Sequence, residues 1–167
     1  MTLAKQQEFQ ALMHQHRKIL YKICRGYCAD AQDREDLAQD IVVQLWKSFA
    51  SYDARAAFST WMYRVALNVA VSSYRSSSRR RAHLVQQDET LLQVADDAAM
   101  PSDTIRAIQG IMDGLDKLSR ALMLLYLEGY SAAECGQVIG ITETNASTRI
   151  SRIRQRIRAG LEHATTH

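Results

Sequence analysis

The stretch SAAECGQVIGITETNASTRISRIRQRIRAGL, residues 131–161, reads as two helices joined by a tight turn. Ser131 and Glu134 stand three apart, the spacing of a capping box, in which each side chain accepts a hydrogen bond from the other residue's backbone N–H. That pair predicts a helix over 131–139. Gly140 supplies the turn, because a residue without Cβ enters the left-handed region at little cost. Thr142 is then the N-cap of a last helix over 143–162. Along that helix Ala146, Ile150, Ile153, Ile157 and Leu161 form one apolar stripe. Asn145, Arg149, Arg152 and Arg156 form a second stripe, and Ser147, Ser151, Arg154 and Arg158 a third. Such a helix is anchored on one side and leaves polar and basic faces open, the arrangement that suits insertion into a DNA major groove.

A short helix, a glycine turn and a helix with amide and basic side chains near its start make a helix-turn-helix. In that motif the second helix turns its N-terminal residues to base edges, which puts Asn145, Ser147, Thr148, Arg149 and Ser151 nearest the bases and leaves Arg152, Arg154 and Arg156 for phosphates. An arginine-rich helix alone reads first as a solvated face. Cap, turn and apolar stripe together favour the DNA-binding reading. Upstream, the pattern predicts further helices at about 104–115 and 119–128.

The composition agrees with helices throughout. The chain of 167 residues is 47% hydrophobic, with one proline, seven glycines and 7% aromatics, which disfavours a β-sandwich or an alternating βα chain. The expected fold class is all-α: two small helical domains joined by an acidic linker, the C-terminal one containing the helix-turn-helix. From Ala82 to Thr104 there is no Lys or Arg, while Asp88, Glu89, Asp96, Asp97 and Asp103 accumulate and Pro101 closes the run. The expected boundaries are therefore 1–81, a linker over 82–103, and 104–167.

Net charge is only +3, and its distribution says more than its size. Asp30, Asp33, Glu35, Asp36 and Asp40 crowd one stretch, Arg79, Arg80 and Arg81 form a basic block, and Arg149 to Arg158 forms another. Different faces thus suit different partners. Cys24, Cys28 and Cys135 leave one unpaired under any disulfide scheme, and with no His or third Cys at ligand spacing they are expected to be structural thiols. No metal and no cofactor is expected. The first ten residues lack an apolar signal-peptide core and no window reaches a membrane span, so the expected location is the cytoplasm, without membrane insertion.

In the N-terminal half, residues 4–29 read as one helix, with Phe9, Leu12, Met13, Ile19, Leu20, Ile23 and Tyr27 on its apolar face. Residues 33–50 read as a second, with Leu37, Ile41, Leu45 and Phe49 at core spacing. Residues 52–59 read as a loop. A third helix is expected from about Thr60 to Ser77, with Trp61, Val65 and Val69 on one apolar side, Tyr63, Leu67, Val71 and Tyr74 on another, and Trp61 expected in the core. Its polar residues Arg64, Asn68, Ser72, Arg75 and Arg79 align on one face, a track suited to nucleic acid.

Two of these segments carry a family resemblance. Asp36-Leu37-Ala38-Gln39-Asp40 through Leu45-Trp46 resembles the helix written Asp-Leu-x-Gln-Glu…Trp in extracytoplasmic-function (ECF) RNA polymerase sigma factors of the sigma-70 family. Phe58-Ser59-Thr60-Trp61-Met62-Tyr63-Arg64-Val65-Ala66-Leu67-Asn68 is similar to that family's Phe-x-x-Trp-Leu-x-Arg-Ile-Ala-x-Asn. The resemblance implies a promoter-recognition subunit with no catalytic residue. It implies that Asp36, Gln39 and Asp40 bind core RNA polymerase through the basic coiled coil of its β′ subunit, and that the β flap is a further contact. It implies that the loop from Tyr52 through Arg55 to Phe58 captures a flipped base of the −10 element, where unstacking costs a few kcal/mol. Asn68 is then a base contact, and Arg64, Arg75, Arg79, Arg80 and Arg81 hold phosphates. The helix-turn-helix would read the −35 element, the acidic linker would lie in the RNA exit path, and an anti-sigma factor is an expected partner. At the start of the last helix this chain has Thr144-Asn145-Ala146-Ser147 where the family often has Gly-Thr-Val-Arg.

A regulator that binds operator DNA as a dimer through the same helix-turn-helix is the alternative. It leaves the acidic helix and the loop with Asn68 without a role. An enzyme is disfavoured, since no phosphate-cradling glycine loop, Cys/His cluster or nucleophile motif is present.

Overall fold

A computed structural model describes residues 2–73 and 110–165 of the protein. The chain divides into two compact units, Met1–Ala95 and Asp96–His167. Every regular element among the described residues is helical. No helix among them is long and apolar enough to cross a membrane. The expected linker over 82–103 lies outside the described residues.

The first unit is a bundle of α1 (Leu3–Tyr27), α2 (Ala31–Phe49) and α3 (Phe58–Ser73), each packed on the other two. Helix α2 opens where Asp30 Oδ1 accepts from the N–H groups of Gln32 (2.8 Å) and Asp33 (3.2 Å), a cap worth about 1 kcal/mol. The expected stripe of α2 is the buried one: Leu37, Ile41, Leu45 and Phe49, joined by Ala38. Phe9, Met13, Leu20, Ile23 and Cys24 meet it from α1, while Leu12, Ile19 and Tyr27 are half-buried at its margins.

Helix α3 departs from expectation in two ways. It begins at Phe58, two residues early, because the Trp61 N–H already bonds the Ala57 carbonyl at 3.1 Å and burial of Phe58 holds that turn in place. Its core side is Phe58, Met62, Ala66 and Ala70, with Tyr63 and Leu67 beside it. The stripe headed by Trp61 (Trp61, Val65, Val69) is only half-buried. The periodicity was ambiguous because nearly every position of this helix is apolar or small, so the packing of α1 and α2 selects the inward face. Trp61 lies at the rim of an aromatic cluster, 6.1 Å from Phe49 and 5.3 Å from Phe58 between ring centroids.

The second unit contains α4 (Lys117–Leu127), α5 (Ala132–Ile139) and α6 (Glu143–Thr165), preceded by a helical turn at 110–113. Arg120 Nη2 donates to the carbonyls of Asp113 (2.9 Å) and Leu115 (3.3 Å), which tethers the end of that turn to α4. The core joins Leu115, Leu122, Met123 and Leu125 to Cys135 and Val138 and to Ala146, Ile150 and Ile153 of α6. Ile157 and Leu161, the rest of the expected stripe, are half-buried.

The turn between α5 and α6 follows from two glycines. Gly140 has φ 86°, and its N–H and that of Ile141 both bond the Gly136 carbonyl, at 2.8 and 2.9 Å. Gly136 itself lies under the returning chain, so a Cβ there would come within 2.8 Å of the Ile141 carbonyl oxygen. Ser131 and Glu134 form the expected capping box: Ser131 N–H donates to Glu134 Oε2 at 2.7 Å, and Glu134 N–H to Ser131 Oγ at 3.2 Å. Thr142 Oγ1 accepts from Asn145 N–H at 3.2 Å, so α6 is capped as expected.

Candidate DNA and protein interfaces

On α2, Leu37, Ala38 and Ile41 face the core, and the helical period turns Asp36, Gln39 and Asp40 outward, where all three are exposed. Asp33 and Glu35 are exposed as well. Gln32 Nε2 donates to Asp36 Oδ1 at 3.3 Å, one turn away, and supports that carboxylate from its own helix. The result is a rigid helix face of carboxylates and an amide, suited to a basic partner.

The α2–α3 loop is built on its aromatic floor. Tyr52 stacks on Phe49 with centroids 5.9 Å apart and planes at 23°, lies 5.1 Å from Trp61, and donates its hydroxyl to the Ala56 carbonyl at 2.9 Å. Asp53 Oδ1 accepts from Arg55 N–H at 3.1 Å across Ala54, whose φ of 59° is left-handed and costs on the order of 1–2 kcal/mol for a residue with a Cβ. The Arg55 guanidinium meets Asp53 Oδ2 at 2.9 Å, but with side chains 89% and 57% exposed the pair adds little to stability. Arg55 is therefore held at the loop only by a weak, solvent-screened carboxylate partner.

Phe58 needs correction as a DNA contact. It is 6% exposed and packed against Phe49, Tyr52, Trp61 and His16, so its ring supports the loop from beneath. On α3, Arg64, Asn68 and Ser72 are all exposed, and Ser72 Oγ donates to the Asn68 carbonyl at 2.6 Å, leaving the Asn68 amide clear of that bond. Arg75, Arg79, Arg80 and Arg81 lie outside the described residues.

On α6, Asn145, Ser147, Thr148, Ser151, Arg152, Arg154 and Arg156 are exposed. Arg154 leans over the Tyr126 ring, 5.8 Å from its centroid. Arg149 departs from the expected base-contact set. Its Nε donates to Asn145 Oδ1 at 3.0 Å, and its Nη1 to Asp116 Oδ2 and Ser119 Oγ, each at 3.3 Å, so its guanidinium turns back onto α4. Neither Asp116 nor Ser119 was legible as a partner, since they lie 33 and 30 residues from Arg149. A shallow pocket of about 250 Å³ opens here, between Ser119 and the α6 side chains Asn145, Thr148, Arg149, Arg152 and Arg156.

Among the described residues, three ionisable groups are shifted by their surroundings. Hydrogen bonds from the Ser131 backbone and hydroxyl hold the Glu134 carboxyl below its ordinary value. Burial pushes the Cys24 thiol up to about 12, with the neighbouring Cys28 adding to the effect. Burial, and then the charge of Glu134, push Cys135 up to about 11. Cys24 and Cys135 are buried and Cys28 half-buried, all three as free thiols.

Comparison with known proteins places both units in one class. Sigma-70 region 2 matches residues 12–80 and Sigma-70 region 4 matches residues 105–157. The RNA polymerase sigma-H factor of Pseudomonas aeruginosa is 30% identical over 163 residues, 90% of this chain and 83% of that one. The ECF RNA polymerase sigma factor SigM of Mycobacterium tuberculosis is 25% identical over 158 residues, 95% of this chain and 79% of that one. The fold is shared with the sigma factor RpoE of Bartonella quintana, solved with the anti-sigma factor NepR, at a TM-score of 0.61 and 17% identity over 94% of this chain and 96% of that one. The chain belongs to the sigma-70 family of RNA polymerase sigma factors, in its ECF group.

Proposed function

We propose that this alternative sigma factor divides promoter recognition between its two units: the first, residues 1–81, binds core polymerase and opens the −10 element, and the second, residues 104–167, reads the −35 element. The observation that carries the reading is the placement of exposed polar faces on helices whose opposite faces are buried. The α2 face of Asp36, Gln39 and Asp40 suits the basic coiled coil of the β′ subunit, where an acidic patch gains steering and register. Arg64 and Asn68, exposed on α3 directly after the Tyr52–Arg55 loop in the chain, suit the single strand of the −10 element, with Asn68 on a base and Arg64 and Arg55 on phosphates. Asn145, Ser147, Thr148 and Ser151 lie at the start of the capped helix α6, as a major-groove reader requires, with Arg152, Arg154 and Arg156 further along it for phosphates.

The protein works without catalytic chemistry of its own, in the cytoplasm with its polymerase. An anti-sigma factor that covers the polymerase-binding face is the partner this reading implies, and the shared fold with a sigma factor solved in such a complex supports it. In vitro transcription with purified core polymerase tests the division of labour. Asp40→Arg is expected to abolish core binding and transcription together. Asn68→Ala is expected to keep core binding and lose promoter opening. Tight, core-independent operator binding by a dimer, with no core-dependent transcript, would overturn the reading in favour of an ordinary regulator.

A further inference from the structure

The contacts of Arg149 bear on what α6 can read, given the −35 reading above. Arg149 is half-buried, its side chain 34% exposed, while Asn145, Thr148 and Arg152 around it are exposed. Its guanidinium spans three acceptors: Asn145 Oδ1 at 3.0 Å from Nε, and Asp116 Oδ2 and Ser119 Oγ at 3.3 Å from Nη1. Asp116 stands at the N-cap of α4, yet its side chain makes no cap hydrogen bond there. Its carboxylate is instead directed at α6, and with the Ser119 hydroxyl it fixes where the guanidinium lies.

A guanidinium only donates, so the amide atom of Asn145 that faces it must be the oxygen. The amide NH₂ is then turned the other way, on an exposed side chain near the first turn of a helix that the fold presents to a major groove. A free asparagine would rotate its amide at little cost and pair with adenine, donating to N7 while accepting from N6. With its oxygen turned to Arg149, Asn145 presents its NH₂ donors on the side away from that guanidinium. Cytosine presents only a donor in the major groove, thymine one acceptor, and guanine two, N7 and O6.

We propose that Arg149, anchored by Asp116 and Ser119, is a positioning residue that fixes the polarity of the Asn145 amide, so that Asn145 selects guanine at one position of the −35 element. Arg149 then sets specificity without touching a base. Its anchor comes from α4, so the start of the helix-turn-helix unit sets what its last helix reads.

The test is transcription by the reconstituted holoenzyme from a promoter library randomised through the −35 element, with transcripts counted by sequencing. Wild type is expected to favour guanine at one position by about tenfold, the discrimination that one well-placed amide contact provides. Asn145→Ala should erase that preference and leave the other positions alone. Arg149→Lys keeps the charge but lacks the planar fork whose Nε and Nη1 reach separate acceptors, and Asp116→Ala removes the anchor. Both are expected to admit adenine at that same position with the rest of the pattern intact, a change that a purely structural loss does not produce. Thermal unfolding of each variant, followed by circular dichroism, checks that the fold is retained. Loss of the guanine preference in Arg149→Lys but not in Asn145→Ala would overturn the proposal, because Arg149 would be reading the base itself. An even fall in all transcripts, with no change at that position, would overturn it in favour of a structural role. If none of the three variants alters any −35 position, the −35 reading of α6 falls along with the inference.

Discussion

Helices α3 and α6 both carry polar stripes, but they are held in opposite ways. Helix α3 buries Phe58, Met62, Tyr63, Ala66, Leu67 and Ala70, so a broad apolar surface fixes its rotation and presents Arg64 and Asn68. Among its described side chains helix α6 buries only Ala146, Ile150 and Ile153 outright, and it is polar on both flanks. Its start is held by hydrogen bonds: the Thr142 cap, the close turn at Gly136 and Gly140, and Arg149 tied to Asp116 and Ser119. A face held by apolar packing tolerates polar changes around it and fails when the core is hollowed. A face held by directed bonds loses only about 0.5–1.5 kcal/mol when one bond goes, but misaligns what it presents.

Core deletion in α3 should have the largest effect. Met62 is fully buried, so Met62→Ala is expected to destabilise the first unit by about 2–5 kcal/mol, read from urea unfolding of the full chain. A loss below about 1 kcal/mol would mean that α3 is not fixed by packing. Next comes Gly136→Ala, where the new Cβ meets backbone at 2.8 Å and the turn must open, costing about 1–3 kcal/mol. Here −35-dependent transcription should fall while transcription that depends on the −10 element alone persists.

The capping box sharpens the contrast through pH. The Glu134 carboxyl is held below its ordinary value of 4.5, so the folded state binds its proton less tightly than the unfolded chain. Its contribution is present above about 4.5 and is lost as pH falls through the depressed value. Melting temperatures of wild type and Glu134→Ala should therefore differ at neutral pH and converge in acid. A constant difference across that window would remove the cap from the account.

The smallest effect concerns the thiols. With Cys24 pushed up to about 12 and Cys135 to about 11, both stay neutral in the folded protein, and alkylation at pH 8 followed by mass spectrometry should mark Cys28 ahead of either. The stability linked to these neutral thiols is complete below their ordinary value of 9.0 and declines as pH rises towards the raised values. Equal labelling of all three cysteines in the folded protein would contradict their burial.

Much of the second unit was legible because its signals are local. The capping box, Gly140 and Thr142 act within a few residues of one another, and the isoleucine stripe of α6 stands out against a polar background. The stripe of α2 was legible for the same reason. Helix α3 was less so: its sequence is apolar on most sides, and Met62, Ala66 and Ala70 became core only because α1 and α2 pack there. Phe58 looked like part of a DNA-facing loop, yet it is the first residue of the helix and lies in the aromatic cluster.

The sequence by itself determined the helical class, the order of the elements, the acidic face of α2 and the helix-turn-helix, since each follows from spacing along one segment of chain. Only the tertiary structure decided which face of α3 turns inward, why residue 136 is glycine, and that Arg149 bonds Asp116 and Ser119 as well as Asn145. Those outcomes depend on groups brought together from elsewhere in the chain, as far as 33 residues away for Arg149 and Asp116, and no local pattern records such a meeting.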